Sequence, residues 1–546
     1  MGSLERPDNV VKADYGARAS NEYYRQNRTG FTESEESSPR GGLSRLRQSL
    51  GPEPEVVHVP QPTRRLGWFA TGFMIASALG IVIGALVVVG LPSILGKGSG
   101  ADTHKTELAS KSPQEANSAG PVGPVANPRA VQSSSLVTSA PAVPASSQPA
   151  SSAPARVANL GSASETAATV RGVTDSEIRF GISAPFSGPA KELGQNMKLG
   201  IEAAFNAANA NGGVNGRQLR LVAADDGYEP ARTAATMKQL YEKDQVFGLL
   251  GNVGTPTAVV ALPYALDRKM LFFGAFTGAG LLRSDPPDRY VFNYRASYAE
   301  ETAAVVNYLV KVKGLAPDQI VVFAQQDAYG DAGFAGVEKA IRALRGGSES
   351  PIVRLGYQRN TVNVEDAVAQ LQQLQQKARL PIKAVIMVPT YRAAAKFIEK
   401  TRDLYPDMIY TSVSFVGSTA LANELMLLGK KYATGVIVTQ VVPALEGHST
   451  LVLDYKSAMA KYFPGEAPDY VSLEGYVDAS VMIAALKRNG PQLDTEKLVG
   501  TFEDLRDLDI GLGAPVSFSR SEHQAVHKVW GTQIDADGHY QPIDLQ

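Results

Sequence analysis

Residues 209–230, NANGGVNGRQLRLVAADDGYEP, combine clustered glycines with two adjacent carboxylates, which are side chains that can bind phosphate, do acid–base chemistry or support a fold. The glycines lack the Gly-x-Gly-x-x-Gly spacing and the trailing Lys-Ser/Thr of a phosphate-binding loop, and they follow a helical pattern instead of opening one. Their order predicts a helix stop and a turn at Gly212, Gly213 and Gly216. Residues 218–224 are typical of a buried strand, so Asp225 and Asp226 fall at its carboxyl end, where open α/β sheets bind ligands.

Other residues suited to catalysis or metal binding are sparse. His523 and His527, in SEHQAVHKVW, have a spacing that binds metal only in a helix, whereas the flanking pattern predicts a late strand. The chain contains no Gly-x-Ser-x-Gly elbow around a nucleophile. We therefore expect a protein that is not an enzyme and that uses no catalytic residue, metal or cofactor.

Composition excludes further classes of function. Lysine and arginine total 53 against 54 aspartate and glutamate residues, so the basic excess expected of a nucleic-acid-binding protein is missing. The absence of cysteine excludes disulfides, thiolate metal sites and a cysteine nucleophile.

The elements that position these residues begin only after about residue 172. Residues 1–65 have no sustained period of 2 or 3.6, which predicts a disordered tail. Residues 66–96 carry no charge and exceed the ~20 apolar residues that cross a ~30 Å hydrocarbon core. We interpret them as a transmembrane helix, because the apolar region of the rival, a cleaved signal peptide, spans only about 7–15 residues. Residues 97–172, rich in Ala, Ser and Pro, are predicted to be a disordered linker.

Basic residues around the apolar segment predict its orientation. Arg64 and Arg65 directly precede it, and only the sparse Lys97 and Lys105 follow. Because positive charge stays on the cytoplasmic side, we expect a single-pass protein of the cytoplasmic (inner) membrane with a cytoplasmic N-terminus. The folded part is then periplasmic or otherwise extracytoplasmic.

Residues 173–546 alternate strand-like and helical runs, beginning with IRFGIS, MKLGIEAAFNAAN and LRLVAA. This βαβα order predicts an α/β fold with parallel sheets flanked by helices. The order restarts after residue 293, so two Rossmann-like lobes are expected. We assign residues 173–293 and 437–515 to lobe 1, and residues 294–436 and 516–546 to lobe 2.

Several segments together resemble the branched-chain amino-acid binding proteins, the leucine/isoleucine/valine type of periplasmic binding protein. They include FGISAPFSGPAKELGQNMKLGIEAAF, VFGLLGNVGTPTAVVALPYALDRKMLFFGAFTGAGLLR, AQQDAYGDAGFAGVEKAI and YVSLEGYVDASVMIAALKRNG. The resemblance covers nearly all of the chain from about Val173 onward. It implies the type I periplasmic binding protein fold, in which two lobes joined by a three-stranded hinge close over one small ligand. Such proteins usually pass the ligand to an ABC permease.

The resemblance also implies a ligand site. Its loops fall on GNVGTPT and GAFTGAG, where Thr255, Thr277 and the backbone near Ala275 would bind a ligand carboxylate. The remaining candidates are Ser187 at the same mouth, and Tyr329 and Tyr391, which would cover the ligand from the second lobe. In the same pattern the glycine turn and both aspartates of residues 209–230 are scaffold.

Two departures from the family pattern are visible. Where amino-acid binders place an acid for the ligand ammonium, the stretch YTSVSFVGSTAL offers Ser414 and Phe415. The family's disulfide positions appear as Tyr228 and Gly254. The first departure bears on the choice of ligand, and the second on stability.

Two functions fit these features. The first is a membrane-tethered solute-binding protein that captures a small carboxylate or an amino acid by lobe closure for an ABC transporter. The alternative is a sensory module in which ligand-driven closure signals through the transmembrane helix to the tail or to a partner.

The charge asymmetry around residues 66–96 yields a testable topology. A reporter that is active only in the cytoplasm should be active when fused near Arg40, because the arginines before the apolar segment favour a cytoplasmic N-terminus. The same reporter fused after Gln546 should be inactive, because this end is expected to be extracytoplasmic. Activity of the Arg40 fusion only outside the cytoplasm, or a mature chain that begins after residue 96, would contradict this topology.

Overall fold

A computed structural model describes residues 170–348 and 351–546. The predicted tail, transmembrane helix and linker lie outside the described residues, apart from the last few linker positions. Within the described ranges, no helix combines the length and the apolar character needed to cross a membrane.

Strands and helices alternate along these residues, as the sequence predicts. The strands are β1 (Glu177–Ala184), β2 (Gln218–Asp225), β3 (Gly248–Leu250), β4 (Phe272–Phe273), β5 (Val291–Phe292), β6 (Ile320–Gln325), β7 (Val353–Tyr357), β8 (Ala384–Val388), β9 (Ile409–Ser412), β10 (Ile437–Gln440), β11 (Trp530–Ile534) and β12 (Tyr540–Ile543). The helices are α1 (Lys191–Ala210), α2 (Pro230–Lys238), α3 (Thr255–Asp267), α4 (Tyr298–Asn307), α5 (Ala328–Leu344), α6 (Glu365–Lys377), α7 (Tyr391–Thr401), α8 (Ser418–Leu428), α9 (Lys430–Ala433), α10 (Thr450–Tyr462), α11 (Tyr470–Asn489) and α12 (Thr495–Glu503).

Two sheets form the two predicted lobes. In lobe 1 the parallel strands follow the order β2-β1-β3-β4-β5. In lobe 2 the order is β12-β11-β10-β9-β8-β6-β7, parallel from β10 to β7 and antiparallel at β11 and β12. The central strands β6 and β8 are buried along their whole length, which explains why every residue of both except Gln325 is apolar, since helices cover both faces of a parallel sheet.

The predicted glycine turn is confirmed. Helix α1 ends at Ala210, and Gly212, Gly213 and Gly216 all adopt positive φ before β2 begins. At Gly213 a Cβ atom would lie 2.0 Å from the carbonyl oxygen of Arg217, so this tight turn needs glycine.

Within residues 170–348 and 351–546, the chain crosses between the lobes three times. Asn293 follows β5 and pairs with the segment around Gln524, where the Asn293 amide donates to the His523 carbonyl at 2.8 Å. These two segments, after β5 and around Gln524, are two of the crossings, and the third follows β10. His523 itself is buried and stacks on Phe292 at 3.9 Å, so it packs in the fold as a hinge residue.

Two predicted lobe boundaries need correction. Strand β10 belongs to the second sheet, so the chain returns to lobe 1 after Gln440 and not at residue 437. Likewise, Phe518 packs on Phe273 and Phe292 of lobe 1, so the last crossing lies between Val526 and β11, not at residue 516. A short strand's sequence indicates burial but not which sheet it joins.

Helices α1 and α11 cross at two glycines. A Cβ atom on Gly200 would lie 1.8 Å from the carbonyl oxygen of Ser472, and one on Gly475 would lie 2.4 Å from that of Met197. The close approach brings α11 against the first lobe with its Glu474 near the hinge.

This crossing predicts an asymmetric effect of alanine. Gly200→Ala should lower the free energy of unfolding by about 3 kcal/mol, because the helices must separate to admit the methyl group. Gly500→Ala, in α12 where no atom lies within 4 Å of the added carbon, should raise it by about 0.5–1 kcal/mol. Denaturant melts of both variants check the difference, and equal behaviour would contradict the crossing geometry.

Candidate ligand-binding cleft

Two threonine hydroxyl groups meet where strands β3 and β4 end. Thr255 opens α3, Thr277 lies in the loop after β4, and their Oγ1 atoms are 2.7 Å apart. Both residues are fully buried. The turn into α3 depends on Gly254, which has φ of 107° and whose Cβ would lie 2.4 Å from the ring of Tyr228. The two positions that the resemblance linked to a disulfide are thus in contact here through an aromatic ring.

Tyr298 brings the second lobe to this threonine pair. It begins α4, and its amide donates to the Gly278 carbonyl at 2.7 Å. Burial raises the pKa of the Tyr298 hydroxyl to about 12, while the nearby hydroxyls of Thr277 and Thr255 act in the opposite direction. The phenol is therefore a neutral donor and acceptor beside the two threonines at physiological pH.

Five rings form an aromatic cluster around the threonine pair. Tyr228 and Phe276 come from lobe 1, and Tyr298, Tyr329 and Phe415 come from lobe 2; all five are buried. The ring of Phe415 crosses the cleft, with its centroid 5.0 Å from that of Phe276 and 4.6 Å from that of Tyr329. The lobes are therefore closed on each other through apolar ring contacts.

Arg295 lies beside this cluster at the hinge and binds both lobes. Its guanidinium pairs with Glu474 of α11 at 3.3 Å and with Glu301 of α4 at 3.0 Å, and it also donates to the Ser414 hydroxyl. Glu301 in turn accepts from the Ser414 amide at 2.8 Å and from the Thr439 hydroxyl at 2.5 Å. Burial acts to lower the pKa of Arg295, but Glu474 and Glu301 outweigh it and raise the pKa.

Glu474 and a second acid of α11, Asp478, are buried in lobe 1. Burial raises the pKa of Glu474 to about 7, although Arg295 acts in the opposite direction. Burial and the neighbouring Glu474 raise the pKa of Asp478 well above its ordinary value. The Asp478 carboxyl lies against Gly274, where a Cβ atom would be 2.6 Å away, so this glycine lets the β4 loop pass over α11.

Asp225 organises the entrance loop after β1. Its carboxylate accepts from the amides of Phe186 and Gly227, each at 2.9 Å, and from the Ser187 hydroxyl at 2.6 Å. Burial acts to raise the pKa of Asp225, but these hydrogen bonds and Arg232 outweigh it and lower the pKa to about 2. This carboxylate fixes a loop, as the sequence predicts.

Asp226 supports the same rim from inside. It accepts from the Ser183 hydroxyl at 2.9 Å, the Thr233 hydroxyl at 3.1 Å and the Tyr228 amide at 3.0 Å. Burial raises the pKa of Asp226 to about 6 despite these donors. Asp226 therefore has a structural role, in which it holds the backbone of Tyr228 from the aromatic cluster in place.

A rim latch, consisting of Glu229 in lobe 1 and Arg359 and Asn360 in lobe 2, joins the lobes at the edge opposite the hinge. Glu229 pairs with Arg359 at 2.9 Å and accepts from the Asn360 amide group at 2.6 Å. Asn360 also donates to the Gly227 carbonyl at 3.0 Å, and Arg359 is held by Asp327 of its own lobe at 2.9 Å.

The structure brings together part of the predicted site. Thr255, Thr277 and Tyr329 surround one region of the cleft, and Ala275 lies in the same loop as Thr277, whose amide donates to the Ala275 carbonyl at 2.7 Å. The side chain of Ala275 packs into the outer apolar core, so only its backbone is available to the cleft.

The other two predicted residues lie to either side. Ser187 is exposed at the rim, and its hydroxyl donates to Asp225. Tyr391 is buried at the start of α7, with ring carbon Cδ1 3.5 Å from where a Cβ on Gly417 would be, so it supports the turn that carries Phe415.

Several residues of the cleft were not predicted from the sequence: Tyr298, Arg295 and the rim latch. A signal for Tyr298 was present, because Ser297 and Glu300 form a capping box that fixes the start of α4. Nothing local marks Arg295 or Arg359, whose partners are distant in the chain.

Comparisons with known proteins agree with this geometry. A family model described as a periplasmic binding protein matches residues 177–539. The Leu/Ile/Val-binding protein homolog 3 of Brucella melitensis biotype 1 is 24% identical over 340 residues, which cover 62% of this chain and 86% of that protein.

Solved structures of binding proteins are also similar to this chain. A possible leucine/isoleucine/valine-binding protein from Rhodopirellula baltica SH 1 is 43% identical, with a TM-score of 0.63, and the match covers 69% of this chain and 98% of that one. A branched-chain amino acid ABC transporter protein from Thermus thermophilus with bound valine is 17% identical, with a TM-score of 0.58 over 68% of this chain and 96% of that one; it shares the fold.

The rim latch predicts how easily the cleft opens. Glu229→Ala removes only contacts between lobes, and since exposed ion pairs are worth about 0.2–1 kcal/mol, backbone amides at 275–279 and 414–417 should exchange hydrogen up to about fivefold faster. Asp318→Ala, which removes a comparable pair with Arg345 inside lobe 2, should leave that exchange unchanged. Hydrogen exchange read by mass spectrometry makes the comparison, and indistinguishable rates would contradict the latch.

Proposed function

This chain belongs to the periplasmic binding protein family, and from that premise we propose that residues 173–546 capture one small carboxylate or amino acid between their lobes for delivery to an ABC permease. The relatives support this proposal, since both the Brucella and the Rhodopirellula proteins carry names for leucine, isoleucine and valine binding.

The observation that carries the proposal is the buried threonine pair facing an aromatic cluster contributed by both lobes. Hydroxyl and backbone dipoles bind an anion without a counter-charge, which would be costly to leave unpaired when the ligand is absent. Thr255 also begins a helix of 13 residues, whose N-terminus favours negative charge. A carboxylate at this position would link two loops of lobe 1 and the Tyr298 hydroxyl of lobe 2.

The proposed roles follow from these positions. Thr255, Thr277 and the backbone at Ala275 bind the ligand carboxylate, and Tyr329 covers the ligand from lobe 2. Tyr391 holds the turn that carries Phe415. Ser187 lies at the entrance, where it orders the rim together with Asp225.

The tether completes the proposal. Residues 66–96 would anchor the protein in the cytoplasmic membrane, and a random coil of the linker's length reaches on the order of 50 Å, so the binding domain could meet a permease in the same membrane. In the alternative function, closure of the lobes over the ligand sends a signal through the membrane anchor to residues 1–65 or to a partner. A requirement for residues 1–65 in a ligand response, with uptake unaffected by their deletion, would favour signalling.

A ligand screen tests the proposal directly. The protein, purified in mild detergent, is heated with single amino acids and single monocarboxylates, and the melting temperature is recorded. A ligand present at a hundred times its Kd should stabilise the domain by about 2.7 kcal/mol. No shift with any member of either class would overturn the proposed ligand.

Thr277→Val tests the assigned carboxylate site. With whichever compound the screen finds, loss of one charge-assisted hydrogen bond should weaken binding by about 1.5–3 kcal/mol, roughly ten- to a hundredfold. Thr401→Val is the matched control, because it removes a buried hydroxyl bonded to Phe397 and Tyr410 inside lobe 2. Calorimetric titration should show weaker binding only for Thr277→Val.

Asp226→Ala should behave in the opposite way. It leaves two hydroxyl groups and the Tyr228 amide without their acceptor, so its main effect should be a lower melting temperature without ligand. If the Thr277 variant binds like the wild type while the Asp226 variant loses binding without losing stability, the two roles are assigned the wrong way round.

A further inference from the structure

The partners of the charged groups around the cleft bear on the ligand's chemistry. Resting on the proposed function, we infer that the ligand is a monocarboxylate with an apolar body and no ammonium group, such as an aliphatic or aromatic acid, and not an α-amino acid.

The first reason is that the carboxylates nearest the aromatic cluster from lobe 2 have their oxygens filled by protein donors. Both oxygens of Glu301 accept, from Arg295, from the Ser414 amide and hydroxyl, and from Thr439. No lone pair in a favourable direction is left there for a ligand ammonium.

Asp327, at the start of α5, is filled in the same way. One oxygen accepts from the Tyr329 amide at 3.0 Å, and the other accepts from the Gln325 amide group at 2.7 Å and from Arg359 at 2.9 Å. It is therefore the N-cap of α5 and an anchor of the rim latch.

The second reason is the position of the permanent cation. The Arg295 guanidinium carbon lies 5.1 Å from the ring centre of Phe276 and 5.8 Å from that of Tyr298. Both rings border the cleft, so the guanidinium lies behind the lining and pairs there with Glu301 and Glu474. Glu474 already pairs with that guanidinium, and Asp478 lies under Gly274.

The third reason is the lining itself. Beyond the threonine pair, the cleft is enclosed by the five rings of the aromatic cluster, with Phe415 in contact with rings of both lobes. Such a surface stabilises an apolar or planar body by burial and ring contact, and these rings and hydroxyls carry no charge to pair with an ammonium.

Matched probes test this inference on the full chain in mild detergent. Three pairs differ only in the α-ammonium: leucine and 4-methylpentanoate, valine and 3-methylbutanoate, phenylalanine and 3-phenylpropanoate. Calorimetric titration should show the deaminated member of at least one pair binding about tenfold or more tightly than its amino acid, since a buried unpaired ammonium is expensive.

Phe415→Glu adds a reciprocal test. A carboxylate at this position should reverse the preference within the pair and favour the amino acid. Phe415→Gln introduces a side chain of the same shape as glutamate without its charge, so it should weaken binding of the deaminated acid without strengthening binding of the amino acid. Melting curves without ligand establish that each variant is folded, and the wild-type comparison stands even where a variant is not.

The outcomes separate this inference from the proposed function. Tighter binding of the amino acid by the wild type in every pair that binds would overturn the inference and leave the proposed function standing. No binding of either member of any pair would overturn both, because small carboxylates and amino acids would then be excluded together.

Discussion

The buried guanidinium of Arg295 is the constraint on which the closed cleft depends. It stands at the hinge and pairs with Glu474 in one lobe and Glu301 in the other. Removing one partner of such a buried pair typically costs about 3–5 kcal/mol, because the remaining charge is left uncompensated. Since Glu301 also binds the amide of Ser414, the same network fixes the turn that carries Phe415 into the cleft.

The two edges of the cleft are held by interactions of different strength. The hinge pair is fully buried, whereas Glu229 and Arg359 of the rim latch have side chains 41% and 22% exposed. Solvent screening makes the rim contacts weak, so they can break without unfolding either lobe. A ligand therefore needs only modest differential affinity to shift the population toward closure. Strength at the hinge and weakness at the rim are what a cleft that opens and closes requires.

The acids around the cleft show how the environment divides roles among identical groups. Asp225 and Asp226 are adjacent, yet hydrogen bonds lower the pKa of the first to about 2 and burial raises that of the second to about 6. Neither is free for chemistry, because each is surrounded by donors of its own lobe. The oxygens of Glu301 are filled in the same way, so all three carboxylates are turned to protein donors.

The sequence by itself determined the α/β class, the two lobes and the glycine turn after α1. These features follow from local periodicity, since burial alternates with the period of the element. The choice of Thr255 and Thr277 came from the resemblance of their loops to the binding-protein family. Only the tertiary structure decided which sheet β10 joins, which rings Phe415 contacts across the cleft, and which carboxylates pair with Arg295 and Arg359. Arg295 and Glu474 are separated by 179 positions in the chain, and no local pattern encodes a contact that exists only after both lobes have folded. Ser187 shows the same limit, because its hydroxyl turns to Asp225, a partner 38 residues away, and not into the cleft.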